Sequence, residues 1–181
     1  MVFFVISDIH GSSTALKKAL EIYKAGRFRK LVICGDILYH GARNPLPEGY
    51  NPKEVIDLLN NIKEDIIAVK GNCESEVDSM VLDFPIKSEY SHIFTQNLDV
   101  FITHGDKYTT DDLSLYKSGS LFLSGHTHIP TGCTKDGVHL LNPGSISLPK
   151  GGFEPSYGIL KEGSWEVRCL NNQKLILSTD F

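Results

Sequence analysis

Seven side chains able to hold a metal ion follow apolar runs or glycines in this 181-residue chain. Asp8 and His10 close the run Val-Phe-Phe-Val-Ile and precede Gly11. Asp36 follows Leu-Val-Ile-Cys-Gly, Asn72 follows Gly71, and His104 stands in Thr-His-Gly. His126 and His128 share Gly-His-Thr-His. Carboxylates and imidazoles at the mouths of buried strands are expensive unless something offsets their desolvation, and a metal ion is one such partner. Taken singly, each has an ordinary reading: an Asp in a surface turn, a His satisfied by a polar neighbour. All of them together, at five strand ends, read as one site. The donors are oxygen and nitrogen only, which argues for an open catalytic centre over a Cys-rich structural zinc. Seven donors exceed what one ion needs, so two ions sharing a bridging carboxylate are expected. Two divalent ions against two carboxylates and a hydroxide leave a net charge of about +1, a trap for an anionic phosphoester.

The elements that must position these residues can be read in order. The run 2–6 lacks clean alternation and reads as a strand buried on both faces. Asp8 and His10, two apart, can point the same way beyond it. Ser12 or Ser13 caps a helix carrying Leu16, Ala19, Leu20 and Tyr23 at helical spacing, which Gly26 stops. A second buried strand over 30–34 ends at Gly35-Asp36, and strand-helix-strand predicts a parallel pair. Residues 37–51, rich in Gly, Pro and Asn, read as a long loop of the kind that is usually functional. Pro52 opens a helix whose apolar face is Val55, Ile56, Leu58, Leu59 and Ile62. A third strand over 65–70 leads to Gly71-Asn72, and a short helix is expected over 75–80. From about residue 84 the pattern changes to short strands, near 92–95, 100–103, 121–123, 138–141, 157–160, 165–170 and 175–178, with a helix only across 111–117. The chain reads as one α/β domain, residues 1–181, with two stacked sheets flanked by helices. In open sheets, ligands bind beyond the carboxyl ends of the strands, the rim where the seven residues fall.

Hydrophobic residues make up 41% and charged residues 22%, as in ordinary globular proteins. The formal net charge of −4 provides no bulk attraction for nucleic acid or an anionic membrane. Four scattered cysteines without a C-x-x-C argue against a disulfide framework and for a reducing compartment. The N-terminal apolar run has no basic flank and ends at Asp8, so it reads as neither signal peptide nor membrane span. The expected address is the cytoplasm.

The motifs resemble the calcineurin-like metallophosphoesterases. That family's D-x-H, G-D, G-N-[H/C]-[D/E], H-G and G-H-x-H series is matched in order by Asp8-Ile-His10, Gly35-Asp36, Gly71-Asn72-Cys73-Glu74, His104-Gly105 and Gly125-His126-Thr-His128. Asn142-Pro-Gly-Ser145 is similar to a further family stretch. Arg43-Asn-Pro-Leu-Pro-Glu-Gly-Tyr50 and Ser147-Leu-Pro-Lys-Gly-Gly152 are similar to its YfcE-type bacterial phosphodiesterase branch. The resemblance implies a four-layer sandwich of two stacked mixed β-sheets flanked by helices, the metallo-dependent phosphatase fold. It also implies a dinuclear, metal-dependent phosphoesterase that hydrolyses phosphodiester bonds with a metal-activated hydroxide. By analogy, Asp8, His10 and His128 hold one ion, Asn72, His104 and His126 the other, and Asp36 bridges them. Mn²⁺ is the expected metal of this branch, and the donor set also accepts Fe, Zn, Ni or Co.

Many relatives carry His where this chain has Cys73. A thiol is a weaker donor and acceptor than imidazole, so a preference for diesters with good leaving groups and weak phosphomonoesterase activity is expected; simple packing is the alternative role. Arg43, in the long loop, is either a phosphate contact or solvated. Lys150, beside Gly151-Gly152, is a candidate second anion contact. Tyr39 and Tyr50 either stack on an aromatic substrate group or cover the loop. His40, His92 and His139 lack a Gly-flanked strand end and read as structural or exposed. Competing functions are a phosphomonoesterase, a cyclic-nucleotide phosphodiesterase, or an interaction scaffold like the retromer subunit of the same fold. The expected partner is a small phosphodiester, without nucleic acid or membrane. Apolar surface around Phe84, Tyr90 and Phe94 is a candidate homodimer or homotetramer contact.

Overall fold

The computed structural model describes residues 1–111 and 113–181. The first apolar run forms β1, Val2–Ile6, and Ser12 caps α1, Ser13–Ala25, its hydroxyl accepting from the Ala15 N–H at 3.2 Å. Such a cap contributes about 1 kcal/mol. Gly26 stops α1 in extended backbone, and what requires glycine there is space: a Cβ would lie 2.1 Å from the Phe28 ring. β2, Lys30–Ile33, follows, then the loop and α2, Pro52–Asn60, capped by Asn51. β3, Ile66–Ala68, completes the alternation, and α3, Asp78–Val81, is shorter than the helix expected over 75–80.

Strands follow: β4 Tyr90–Phe94, β5 Asp99–Thr103, β6 Leu121–Leu123, β7 Thr131–Lys135, β8 Val138–Asn142, β9 Ser156–Lys161, β10 Ser164–Cys169 and β11 Leu175–Asp180. β7 was not expected. Thr-Gly-Cys-Thr-Lys carries no apolar run because it is an edge strand, paired only with β8. Its signal lay in the turn: Asp136 and Gly137 both adopt positive φ (52° and 81°), the conformation an Asp-Gly hairpin favours.

The strands form two mixed sheets, ordered β11-β10-β9-β1-β2-β3 and β4-β5-β6-β8-β7. Each contains a parallel run, β1-β2-β3 at one side of the first and β5-β6-β8 at the centre of the second. The facing sides bury Phe3, Val5, Val32, Val100, Ile102, Leu123 and Trp165 in one core. Burying a Leu or Val side chain contributes roughly 1.5–3 kcal/mol. α1 and α2 cover the outer face of the six-stranded sheet through Leu16, Leu20, Val55 and Leu59, packed on Phe4, Ile6, Leu31 and Ile33.

The two stacked sheets match the expectation, but the fourth layer is not helical among the described residues. Leu113, Tyr108 and Tyr116 of the connection after β5 cover Phe101 and Phe122. The helix expected across 111–117 falls partly on residue 112, outside the described residues. The described remainder forms turns, closed by the Tyr116 N–H donating to the Leu113 carbonyl at 3.1 Å. Thr, Ser and Asp crowd this stretch and favour turns over helix. Of the three residues expected at an oligomer contact, Phe84 belongs to the core, whereas Tyr90 and Phe94 are exposed on the edge strand β4. All four cysteines are free. Among the described residues no helix is long and apolar enough to cross a membrane.

Candidate metal centre

The carboxyl ends of β1, β2, β5 and β6 meet at one edge, and short backbone hydrogen bonds lock their loops together. Asp8 N–H donates to the Gly35 carbonyl, His10 N–H to that of Asp36, and Gly125 N–H to that of His104, all within 2.9–3.1 Å. Close approach makes glycine obligatory at two of these crossings. A Cβ on Gly71 would lie 2.2 Å from Asp36 Oδ1, and one on Gly125 would lie 1.9 Å from Ser7 Oγ. Five of the seven expected ligands, Asp8, His10, Asp36, His126 and His128, have φ between 48° and 64°. A non-glycine residue in that region costs roughly 1–2 kcal/mol. Such backbone, concentrated on one set of polar residues, marks a functional site.

Their side chains converge. Asp8 Oδ1 lies 3.2 Å from His128 Nε2 and 3.6 Å from His10 Nε2, and the two imidazole nitrogens are 3.3 Å apart. Asp36 Oδ2 lies 3.4 Å from His104 Nε2 and 3.8 Å from His10 Nε2. His104 Nε2 is also 3.2 Å from both Asn72 Oδ1 and His126 Nδ1. All seven expected residues thus fall into two abutting groups. Asp8, His10 and His128 make one; His104, Asn72 and His126 make the other; Asp36 lies between them. Asp8 also reaches the second group through Asp36 and His104.

The other polar atoms of these side chains are spent on the backbone. His10, His104 and His128 turn Nδ1 toward the carbonyls of Tyr39 (2.9 Å), Cys34 (2.7 Å) and Leu148 (2.5 Å). An N–H donated there leaves the Nε2 lone pair free, as a metal-binding imidazole requires. Asp36 Oδ1 accepts from the Cys73 N–H at 2.9 Å, and Asp8 Oδ2 from the His126 N–H at 3.1 Å. Asp8 Oδ1 is fully buried with no hydrogen bond. A buried acceptor without a donor, ringed by nitrogen lone pairs, fits a cation and is otherwise costly. The residues therefore fit divalent ions in both groups.

Charge coupling agrees. Burial works to raise the Asp8 carboxyl, but His10 and His128 beside it hold it well below the usual carboxylate range. Asp36 is lowered in the same way, against burial, by His104. Burial opposes a proton on His104, yet the Asp36 carboxylate outweighs it and pushes the imidazole up to about 9. His126 is lowered by burial and by the neighbouring His104.

Cys73 stands within ligand range of His10 and Asp36, but burial and the Asp36 carboxylate push its thiol far up, so it stays protonated. It lines a cleft of about 770 Å³ over the centre, together with Asp36, Asn72, His126, His128, Tyr39, Arg43 and Lys150. Tyr50 does not line it and packs edge-on against His40. His92 and His139 are elsewhere, bonded to Asp99 and Thr134. Two positioning groups escaped the sequence reading. Glu74 accepts from the backbone N–H groups of Asp36 (3.0 Å), Ile37 (2.5 Å) and Gly71 (2.5 Å), clamping the loops after β2 and β3. Ser145 and Ser147 both donate to the Asp8 carbonyl, at 2.8 and 2.9 Å. The motifs containing Glu74 and Ser145 were legible; their hydrogen bonds to Ile37 and Asp8, 37 and 137 residues away along the chain, were not.

The comparisons with known proteins agree with this geometry. The model of the calcineurin-like phosphoesterase superfamily domain matches residues 1–164. The chain is 41% identical over 176 residues to phosphodiesterase YfcE of Escherichia coli, covering 97% of this chain and 96% of that one. It is 26% identical to a phosphodiesterase of Methanocaldococcus jannaschii, covering 91% and 95%. The solved structure of the E. coli YfcE phosphoesterase superposes with a TM-score of 0.97 at 40% identity, covering 99% of each chain. A Vps29 from Entamoeba histolytica complexed with zinc, 20% identical with a TM-score of 0.65 and covering 99% of each chain, shares the fold. By motif order, strand-end geometry and near-complete coverage, the chain belongs to the calcineurin-like phosphoesterase superfamily.

Proposed function

We propose that the protein hydrolyses small phosphodiesters with two divalent ions, Mn²⁺ by preference, held in the two side-chain groups. Asp8, His10 and His128 would hold one ion, Asn72, His104 and His126 the other, with Asp36 shared. The observation that carries this reading is the buried, unpartnered Asp8 Oδ1 ringed by imidazole nitrogens whose opposite sides are tied to backbone carbonyls. When bound, such ions acidify water to a nucleophile at neutral pH and offset charge on the phosphoryl oxygens.

The chain's own residues do the rest. The loops around Asp8, Asp36 and Gly125 hold the donor atoms in place, so little reorganisation accompanies reaction. Arg43 and Lys150 line the cleft, and their side chains make no hydrogen bond or ion pair with any described residue, which leaves both cations to hold the anionic substrate. Neither is balanced by a carboxylate in the wall outside the metal-binding groups. Cys73 puts a thiol, a weaker donor and acceptor than imidazole, at the position where many relatives carry His, which supports diesters with good leaving groups over monoesters.

Residues 1–181 are inferred to be one domain, since β11, beyond the matched 1–164, completes the six-stranded sheet. Four free cysteines support a reducing compartment, and we infer the cytoplasm. Exposed Tyr90 and Phe94 on an edge strand support a homodimer or homotetramer. The test is turnover of bis(p-nitrophenyl) phosphate and p-nitrophenyl phosphate after chelation, with each divalent ion restored in turn. Diester turnover that returns with Mn²⁺ and exceeds monoester turnover is expected. Monoester turnover that equals or exceeds it overturns the diester assignment, and a chain that binds no divalent ion is a scaffold.

A further inference from the structure

The cleft over the metal groups has both polar and apolar lining, the latter including Gly41, Ala42 and Cys73. Asp36, Asn72, His126 and His128 line it on the metal side, Arg43 and Lys150 supply charge, and Tyr39 brings the one phenol ring among its described lining residues. Tyr39 is 43% exposed. Its main chain is fixed from the centre itself, because His10 Nδ1 is bonded to the Tyr39 carbonyl at 2.9 Å. Two residues upstream, the Gly11 N–H donates to the Ile37 carbonyl at 2.8 Å, so the segment entering Tyr39 is fixed as well.

The ring is also backed. His40 stands beside it with ring centroids 4.6 Å apart at 65°, and Tyr50 stands beside His40 at 5.4 Å and 85°. The Asn44 amide donates to the His40 carbonyl at 2.9 Å and fixes the main chain that carries the second ring. Two of the three aromatic groups are used for support, and the third meets the cleft. A supported ring, open on the side of two free cations and next to a centre that fits divalent ions, is a bipartite surface: charge for a phosphate, a π-face for what is esterified to it. Solvent exposure of a lone tyrosine needs no explanation; a pinned and buttressed one in the wall of a cleft of about 770 Å³ that also carries two cations unpaired among the described residues does.

We propose that Tyr39 is a specificity-determining residue, and that the substrate is a phosphodiester with at least one aromatic arm, aryl or nucleoside, stacked on its ring. The assignment rests on the phosphodiesterase reading for the identity of the reacting group and adds the class of the ester arm. Offset stacking of this kind is directional and depends on the ring's quadrupole, so an aliphatic residue of similar size does not replace it.

The test uses binding as well as turnover. Titration calorimetry on the Mn²⁺-loaded chain compares phenyl phosphate, adenosine 5′-monophosphate and methyl phosphate as product-like probes, for the parent, Tyr39→Phe and Tyr39→Leu. The parent is expected to bind the tighter of the two aromatic probes roughly tenfold or more over methyl phosphate, as stacking of about 1.4 kcal/mol requires. Tyr39→Phe keeps that ratio, and Tyr39→Leu brings it to about twofold or less. The carbonyl that His10 contacts is present in all three, and equal Mn²⁺ affinity verifies that the centre is intact. Tighter binding of the nucleotide than of phenyl phosphate supports a nucleoside arm, and the reverse order a simple aryl arm. A parent that does not discriminate, or a Tyr39→Leu variant that keeps the ratio, overturns the proposal. Failure of the phosphodiesterase reading is separate: it shows as absence of diester turnover with any divalent ion, whatever the binding ratios.

Discussion

Asp36 occupies a left-handed backbone position, gives one carboxylate oxygen to the Cys73 N–H, and aims the other between His10 and His104. An amide at this position would put a donor where the geometry calls for a shared acceptor. Asp36→Asn is therefore expected to lower diesterase kcat/KM by at least about 100-fold, with weaker Mn²⁺ binding read by calorimetry. An unchanged metal titration with unchanged activity would remove Asp36 from the centre. Cys73 carries a second prediction. Replacing the thiol by imidazole supplies a general acid that can contribute ~10²–10⁴-fold for poor leaving groups. Cys73→His should gain over the parent in proportion to leaving-group pKa across a diester series, and a flat comparison would return Cys73 to packing. At this scale the ligand residues were legible, because each polar residue interrupts an apolar run beside a glycine. Their positive φ values were not legible: Asp and His visit the left-handed region more often than most residues, but a preference that weak does not assign it at a given position, and the crossing of loops from different strands imposes it here.

The loops that carry these residues depend on partners far along the chain. Glu74 satisfies three buried N–H groups from the loops after β2 and β3. Leaving buried donors unsatisfied costs roughly 1–3 kcal/mol each. Glu74→Ala should lower unfolding free energy by several kcal/mol in urea titration and weaken metal binding about 10–100-fold. Glu74→Gln, which keeps an oxygen acceptor but turns an N–H₂ toward one donor, should recover part of both. Equal metal affinity in all three proteins would limit Glu74 to fold stability. The strand-helix alternation of the first half was readable because its runs are apolar and punctuated by Ser12, Gly26 and Pro52. β7 was not, since an exposed edge strand needs no apolar residues and its identity lies in the Asp136-Gly137 turn. Nor was the loop over Phe101 and Phe122, where Leu113 and Tyr116 stand at helical spacing yet cover the sheet from turns, together with Tyr108.

Across the whole molecule, the two sheets bring five segments spread over 120 residues to one edge, and the charge they gather must be balanced. In the metal-free chain protons serve that role. His104 is pushed up to about 9, above its ordinary 6.5, so the folded chain binds this proton more tightly than the unfolded one. The stability it contributes is fully present below about pH 6.5 and is lost as pH rises through about 9. Calorimetric melting of the metal-free chain should show a Tm falling across that window. The metal-loaded chain should show a flatter profile, and loading near pH 7.5 should release protons, read as a dependence of the binding heat on buffer ionisation. A metal-free Tm that rises across the window would contradict the coupling. Mn²⁺ at about 100 times its Kd should add about 2.7 kcal/mol, or roughly 5–10 °C in Tm.

The most direct test of the dinuclear account is a titration of the metal-stripped chain with Mn²⁺ while bis(p-nitrophenyl) phosphate hydrolysis is followed. Two ions sharing Asp36 predict activity that is absent at the start and saturates at two equivalents per chain. A folded chain that hydrolyses the diester equally well before any Mn²⁺ is added, or that saturates at one equivalent, would contradict it.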